Sequence, residues 1–235
     1  MTEMICIGHR GASGYAPENT LAAFALAIEM GCSWVELDVY AVEGELLVIH
    51  DDTLERTTNG KGRVMDTSLS TLRTLDAGAG QRIPTLSEVI ELVDHRAGIN
   101  VELKGEHTAT AVSALLAQYV ARGWREQEFM ISSFDHTELA LANPHYNRGA
   151  LFAKKLIDRK TKDYFQRTQE LGAFALNLAM KLVTPELVAA AHAEGLQVYV
   201  YTVNAVADIE RMRSFGVDGV FSNYPDRVIP AQTCP

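Results

Sequence analysis

Short apolar runs alternate with helix-like segments from one end of this chain to the other, and that alternation limits the fold more than any other feature. Apolar runs bounded by turn residues read as buried strands, and the stretches between them carry helix start and stop signals. Residues 5–8, 33–39, 99–103, 129–131, 149–152, 173–176, 197–201 and 217–221 read as strands. Residues 20–29, 86–94, 108–120, 135–141, 160–170, 185–192 and 205–214 read as helices. Asn19 is the expected N-cap of the first helix and Gly31 its stop; Thr184 and Gly195 bracket the helix over 185–192 in the same way. Regular β–α alternation implies a parallel sheet, and eight such units in 235 residues imply an α/β fold of the closed (β/α)8 kind, a TIM barrel. An open doubly wound sheet is the alternative, but no GxGxxG turn follows a strand here. After the last strand only SNYPDRVIPAQTCP remains, so the final helix is expected to be short or missing.

Two stretches depart from the repeat. Residues 46–49 form a ninth apolar strand, joined to the strand before it through Glu43-Gly44-Glu45. So short a turn makes an antiparallel hairpin, and a parallel barrel has no slot for one. The hairpin is therefore expected to stand above the barrel mouth and to fold His50 back toward it. A three-residue loop pairs Val42 with Leu46 and Asp38 with His50. A two-residue loop pairs Leu37 with His50 and turns the imidazole to the other face. The chemistry outlined below calls for the first register, or for a bulge. Residues 51–82, rich in Thr, Gly and charge, then form an irregular excursion over the same face, with a short helix near 70–76. Residues 1–235 are expected to make a single catalytic domain that includes this excursion.

Composition narrows the function. Lys and Arg number 21 against 30 Asp and Glu, a formal charge of −9, and no basic run breaks the acidic balance. Nucleic acid is not an expected partner of such a chain. Cys6, Cys32 and Cys234 are three, an odd number without paired spacing. A disulfide framework or zinc knuckle is not expected, and a cytoplasmic location fits best. MTEMICIGHRG lacks the basic and apolar regions of a signal peptide, and no apolar run is long enough to span a membrane. A homo-oligomer is left open.

In a (β/α)8 barrel, reactive groups gather at the C-terminal ends of the strands. The first strand ends in His9 and Arg10. The second carries Glu36 and Asp38, two apart and so on one face, with Val35, Leu37 and Val39 facing the other way. The third carries Glu102 and Lys104 at the same spacing. Later strand ends offer Ser132, Ser133, Lys154, Asn177, Thr202, Asn204, Ser222 and Asn223. Carboxylates side by side repel unless a cation or proton lies between them. Each group has a plainer reading: a solvated strand end for the acidic pair, an ion pair for Glu102 and Lys104, a loop contact for Arg10. Clustering on three adjacent strands argues against all of these together.

Three carboxylates make an all-oxygen site suited to one hard divalent cation, Mg2+ or Ca2+, whereas zinc prefers His and Cys. Arg10 and Lys104 beside such a site suit a phosphate. Two histidines, with ordinary pKa values near 6.5, can serve as base and acid on opposite sides of phosphorus. Phosphodiester cleavage uses all of these parts.

The stretches HRGASGYAPENT, ELDVYAVEGELLVIHDDTLERTTNGKG, IPTLSEVI, VELK, YTVN and SNYPD occur in the order in which they occur in the glycerophosphodiester phosphodiesterase family, which this chain resembles over nearly its whole length. The resemblance implies a (β/α)8 barrel and hydrolysis of a small glycerophosphodiester to glycerol 3-phosphate and an alcohol. It implies that Glu36, Asp38 and Glu102 hold the cation, that His9 and His50 are catalytic, and that Arg10 and Lys104 contact the phosphate. Glu18 and Asn19 fall on the family's PEN motif, as supporting residues. Tyr201 stands where the family commonly has Trp, a departure at the expected border of the alcohol pocket. A lyase that stops at a cyclic phosphate, a lysophospholipase D, and a non-catalytic phosphodiester-binding barrel are the rival readings.

Overall fold

The structure, a computed structural model, describes residues 4–153 and 161–229. Its strands are β1 (Ile5–His9), β2 (Trp34–Val42), β3 (Glu45–Val48), β4 (Gly98–Leu103), β5 (Phe129–Ser133), β6 (Asn147–Phe152), β7 (Ala175–Ala179), β8 (Gln197–Tyr201) and β9 (Gly219–Ser222). Neighbours run β1-β9-β8-β7-β6-β5-β4-β2, and β1 pairs with β2 to close the ring. Every pairing within the ring is parallel. This is the (β/α)8 barrel expected from the alternation.

The helices between them are α1 (Leu21–Glu29), α2 (Leu69–Leu72), α3 (Leu86–Val93), α4 (Thr108–Ala121), α5 (His136–Leu141), α6 (Thr161–Glu170), α7 (Pro185–Ala193), α8 (Val206–Phe215) and α9 (Pro225–Val228). Local chemistry sets their ends. Thr85 and Glu88 of α3 form a reciprocal capping box, and Leu86, Val89, Ile90 and Val93 bury one face at helical spacing. Thr184 caps α7 as expected. The cap of α1 is Thr20, whose hydroxyl accepts from the Ala23 N–H, and not Asn19. Asn19 instead adopts a left-handed backbone (φ 57°) and turns its side chain toward the barrel. The final helix, α9, is short. Lys154 and Cys234 lie outside the described residues. Among the described residues no helix is long and apolar enough to cross a membrane.

The main core lies between strands and helices. Val35, Leu37 and Val39 of β2 are fully buried there with Phe24 and Ala27 of α1. Inside the barrel a smaller apolar cluster of Ile7, Met130, Ala175, Tyr199 and Phe221 forms a plug, with Trp34 packed against it. Cys6 and Cys32 meet in the main core with sulfurs 3.5 Å apart and no disulfide between them.

β2 serves two structures. Its lower half, Trp34 to Val39, pairs with β4, and its upper end pairs with β3 in the antiparallel hairpin. The hairpin register differs from the expected one. Val42 pairs with Glu45 and Val39 with Val48, so the loop has two residues. Both are left-handed, Glu43 at φ 49° and Gly44 at φ 85°, as a type I′ turn demands; such a turn matches the twist of the flanking strands. The expected pairing of Asp38 with His50 is therefore wrong: Asp38 stands opposite Ile49, whose N–H donates to the Asp38 carbonyl at 3.0 Å. No bulge corrects this. The chain instead leaves the ladder after Val48 and bends at His50, which frees the imidazole from the strand's alternation.

Residues 51–82 form the expected excursion; its short helix, α2, overlaps the expected 70–76 but starts one residue earlier and ends at Leu72. It is less irregular than its composition implies. Leu54, Val64, Leu72, Ala77 and Ile83 bury against Tyr40, Val42, Leu47 and Ile49 of the hairpin in a second core.

Candidate active site

The strand ends bring the acidic residues together. Asp38 and Glu102 are register partners on β2 and β4, and Glu36 lies two residues below Asp38 on the same face. All three are buried, and one oxygen of each lies within 4.8 Å of the others. Arg10 follows β1 with a left-handed backbone (φ 56°), and this turns its N–H onto Glu36 Oε2 at 2.9 Å. Its guanidinium lies 3.4 Å from Asp38 Oδ2 through Nε and donates to Glu18 Oε1 at 2.7 Å. Asn19 Nδ2 donates to Asp38 Oδ2 at 2.9 Å, the contact that its backbone conformation serves. Lys104 Nζ lies 2.9 Å from Glu102 Oε1 and 3.7 Å from Asp38 Oδ1.

Two cations do not neutralise this cluster. Burial, then Asp38 and Glu102, push the Glu36 carboxyl well above its ordinary range. Burial and Asp38 push Glu102 up to about 7, against the pull of Lys104 and Arg10. Burial alone would lower Lys104; Glu102 and Asp38 reverse that and raise it. Glu36 Oε1 and Asp38 Oδ1 are buried without a hydrogen-bond partner among the described residues. Orphaned carboxylate oxygens in a buried all-oxygen cluster are what a hard cation satisfies. The Glu102–Lys104 ion pair does exist, but Lys104 reaches Asp38 Oδ1 only at 3.7 Å and gives neither oxygen a hydrogen bond. The residues fit a bound divalent cation.

The two histidines are held differently. His9 closes β1, and its Nδ1 lies 2.7 Å from Asn223 Oδ1, so Nδ1–H donates and Nε2 keeps a lone pair. Burial, then Arg10, lower His9 to about 4. His50 Nδ1 lies 2.6 Å from Asp51 Oδ1. Asp51 in turn accepts from Arg56, at 2.5 Å from Nε and 2.9 Å from Nη2. Arg56 also donates to both oxygens of Glu18, at 2.7 and 2.8 Å. A continuous line of charge thus runs from His50 through Asp51, Arg56 and Glu18 to Arg10. Glu18 is held down to about 2, despite its burial, by Arg56 and Arg10.

Both rings line one cavity of about 260 Å³ at the barrel mouth, together with Arg10, Glu36 and Glu102. Asn100 and Ser132 also line it. Tyr201 forms a wall, edge-on to Phe134 at 5.7 Å and to Phe221 at 6.4 Å between ring centres. Thr202 borders the same space. Asp38, 1% exposed, is not among the residues that line it. Other strand-end candidates stand apart. Ser133 Oγ donates to the Leu103 carbonyl, and Asn204 Oδ1 accepts from the Asn223 N–H. Asn177 folds over Gly149, where a Cβ would come within 2.5 Å of its amide nitrogen.

Sequence reasoning gave Asp51 and Arg56 no part, and gave Asn223 none beyond its strand end. The signal for Asp51 and Arg56 was present in the stretch HDDTLER: an acid next to the returning histidine and an arginine five residues on.

Two imidazoles and an arginine on one cavity beside buried carboxylates, at the C-terminal mouth of a closed parallel barrel, define a phosphoric diester hydrolase. The model of the glycerophosphoryl diester phosphodiesterase family matches residues 9–227, and the chain belongs to that family. It is 37% identical over 238 residues to a glycerophosphodiester phosphodiesterase of Caldanaerobacter subterraneus subsp. tengcongensis, with 96% of each chain covered. Its fold is similar to that of an Oleispira antarctica phosphodiesterase solved in complex with the product sn-glycerol-3-phosphate: TM-score 0.84, 32% identity, 95% of this chain and 94% of that one. A glycerophosphodiester phosphodiesterase from Thermotoga maritima superposes with a TM-score of 0.80 at 28% identity, covering 96% of this chain and 97% of that one.

Proposed function

We propose that this protein hydrolyses small glycerophosphodiesters to sn-glycerol 3-phosphate and an alcohol, with a divalent cation held by Glu36, Asp38 and Glu102. The observation that carries the reading is the meeting, in one cavity, of two imidazoles with Glu36 and Glu102 of a buried carboxylate triad. When bound, Mg2+ or Ca2+ supplies positive charge that polarises a phosphoryl oxygen. Arg10 and Lys104 pair with the anionic phosphoryl group. The glycerol 2-hydroxyl attacks phosphorus while one imidazole takes its proton. The other imidazole protonates the departing alkoxide as its bond to phosphorus breaks. A five-membered cyclic phosphate results, and water opens it with the two rings exchanging roles. Asn223 and Asp51 fix the rings so that Nε2 of each faces the cavity. Asp51 stabilises the imidazolium that forms on His50, and an arriving phosphate anion favours protonation of His9.

Barrel and excursion act in this reading as one catalytic domain, because the excursion's core is shared with the hairpin and Arg56 reaches back to Glu18. A cytoplasmic location belongs to the same proposal and rests on cysteine usage.

The test is direct. His9→Ala and His50→Ala are each expected to lower turnover of glycerophosphocholine by at least about 10³-fold with an unchanged melting curve. Chelation with EDTA is expected to stop the wild-type reaction, and Mg2+ or Ca2+ to restore it. Phosphorus NMR should show glycerol 3-phosphate as the end product. Accumulation of cyclic phosphate favours the lyase, and full turnover in metal-free buffer removes the cation from the proposal.

A further inference from the structure

Above the apolar plug and alongside the carboxylates, the barrel interior holds neutral polar groups that form a layer of their own. Asn100 lies on β4 two residues below Glu102, and Ser132 lies on β5 as the register partner of Glu102. Both line the cavity, at 1% and 0% exposure. Both Asn100 side-chain atoms and Ser132 Oγ lack a hydrogen-bond partner among the described residues. Leaving such groups unpaired in a buried site is costly. They do not satisfy one another, nor does Asn100 satisfy Glu36 Oε1, its equally orphaned neighbour across the sheet. The layer is therefore completed by something that enters from the cavity.

We propose that Asn100 and Ser132 form a hydroxyl-reading floor that takes up the glycerol end of the diester. This rests on the function proposed above and adds how one end of the substrate is told from the other. The amide offers two donors and an acceptor and the serine one of each, which is the complement of a vicinal diol. The plug closes the barrel below, so only the end of the diester that enters first reaches the floor. Phe134 is 44% exposed at the rim and, with Tyr201, leaves an apolar side for the other alcohol. A site built to hydrogen-bond hydroxyls rejects analogues without them, because its buried polar groups then stay unpaired.

Binding separates this role from a structural one. By calorimetry, the wild type with saturating Mg2+ is expected to hold sn-glycerol 3-phosphate at least about tenfold more tightly than ethyl phosphate, which has no hydroxyls. Ser132→Ala and Asn100→Leu are each expected to remove about three- to tenfold of that preference while ethyl phosphate binds as before. Melting curves check that both variants fold. If Asn100→Leu does not fold, Ser132→Ala decides alone. An unchanged preference in folded Ser132→Ala overturns the proposal and leaves the floor to solvent. A wild type that cleaves no glycerophosphodiester sinks the functional reading instead, so the two failures are told apart.

Discussion

The two imidazoles face one cavity from unlike supports. His9 ends a barrel strand and is fixed by one neutral amide, Asn223, which follows another barrel strand. His50 lies past the end of a hairpin and is fixed by a line of charges that crosses the excursion. Regular structure places the first ring. No ladder places the second, since β3 stops two residues short of His50 and its register points the wrong way. Where the backbone does not dictate a side chain's direction, ion pairs do, and those respond to pH, salt and single substitutions in ways that a barrel strand does not.

The largest expected difference comes from cutting each support. Arg56→Ala takes from Asp51 its arginine and from Glu18 one of its two, and is expected to lower kcat/KM by about 10²-fold in the folded protein. Asn223→Ala removes one neutral hydrogen bond and is expected to cost about tenfold or less. Equal losses in steady-state assays would break the comparison. Next in size is acid sensitivity. Glu18 sits at about 2 when folded, below its ordinary 4.5. Its contribution to stability is therefore complete above pH 4.5 and is lost as pH falls from there through about 2. Hydrogen exchange should show the excursion opening before the barrel in that window, and Arg56→Ala should remove the difference. Simultaneous opening would count against a separate charge-held support. The smallest effect is expected at the hairpin turn. Gly44→Ala places a Cβ at φ 85° and should cost about 1 kcal/mol in a denaturant melt, with turnover nearly unchanged because the hairpin does not aim His50 by register.

These differences also mark what the sequence could reveal. Barrel strands declare themselves by short apolar runs, and their ends place His9, Glu36, Asp38 and Glu102 on one face by period alone. The hairpin was legible as a hairpin, but its register was not. Glu43-Gly44-Glu45 is compatible with two loop lengths, and only the left-handed conformation of Glu43 selects the shorter. Asn19 has the composition of a cap; its side chain was drawn instead to Asp38, 19 residues away. Arg56 pairs with Glu18 across 38 residues, and no local pattern announces such a contact.

The ring's closure has a consequence for the order in which the protein comes into being. β1 is paired on one side by β9, and His9 is anchored by a residue 214 positions later in the chain. A nascent chain that has emerged through β8 already carries the carboxylates, both imidazoles and the excursion. It still lacks the strand that seals β1 and the amide that sets the His9 tautomer. Synthesis through β9 and Asn223 thus precedes a complete site, and a chain truncated before β9 leaves the ribosome without one.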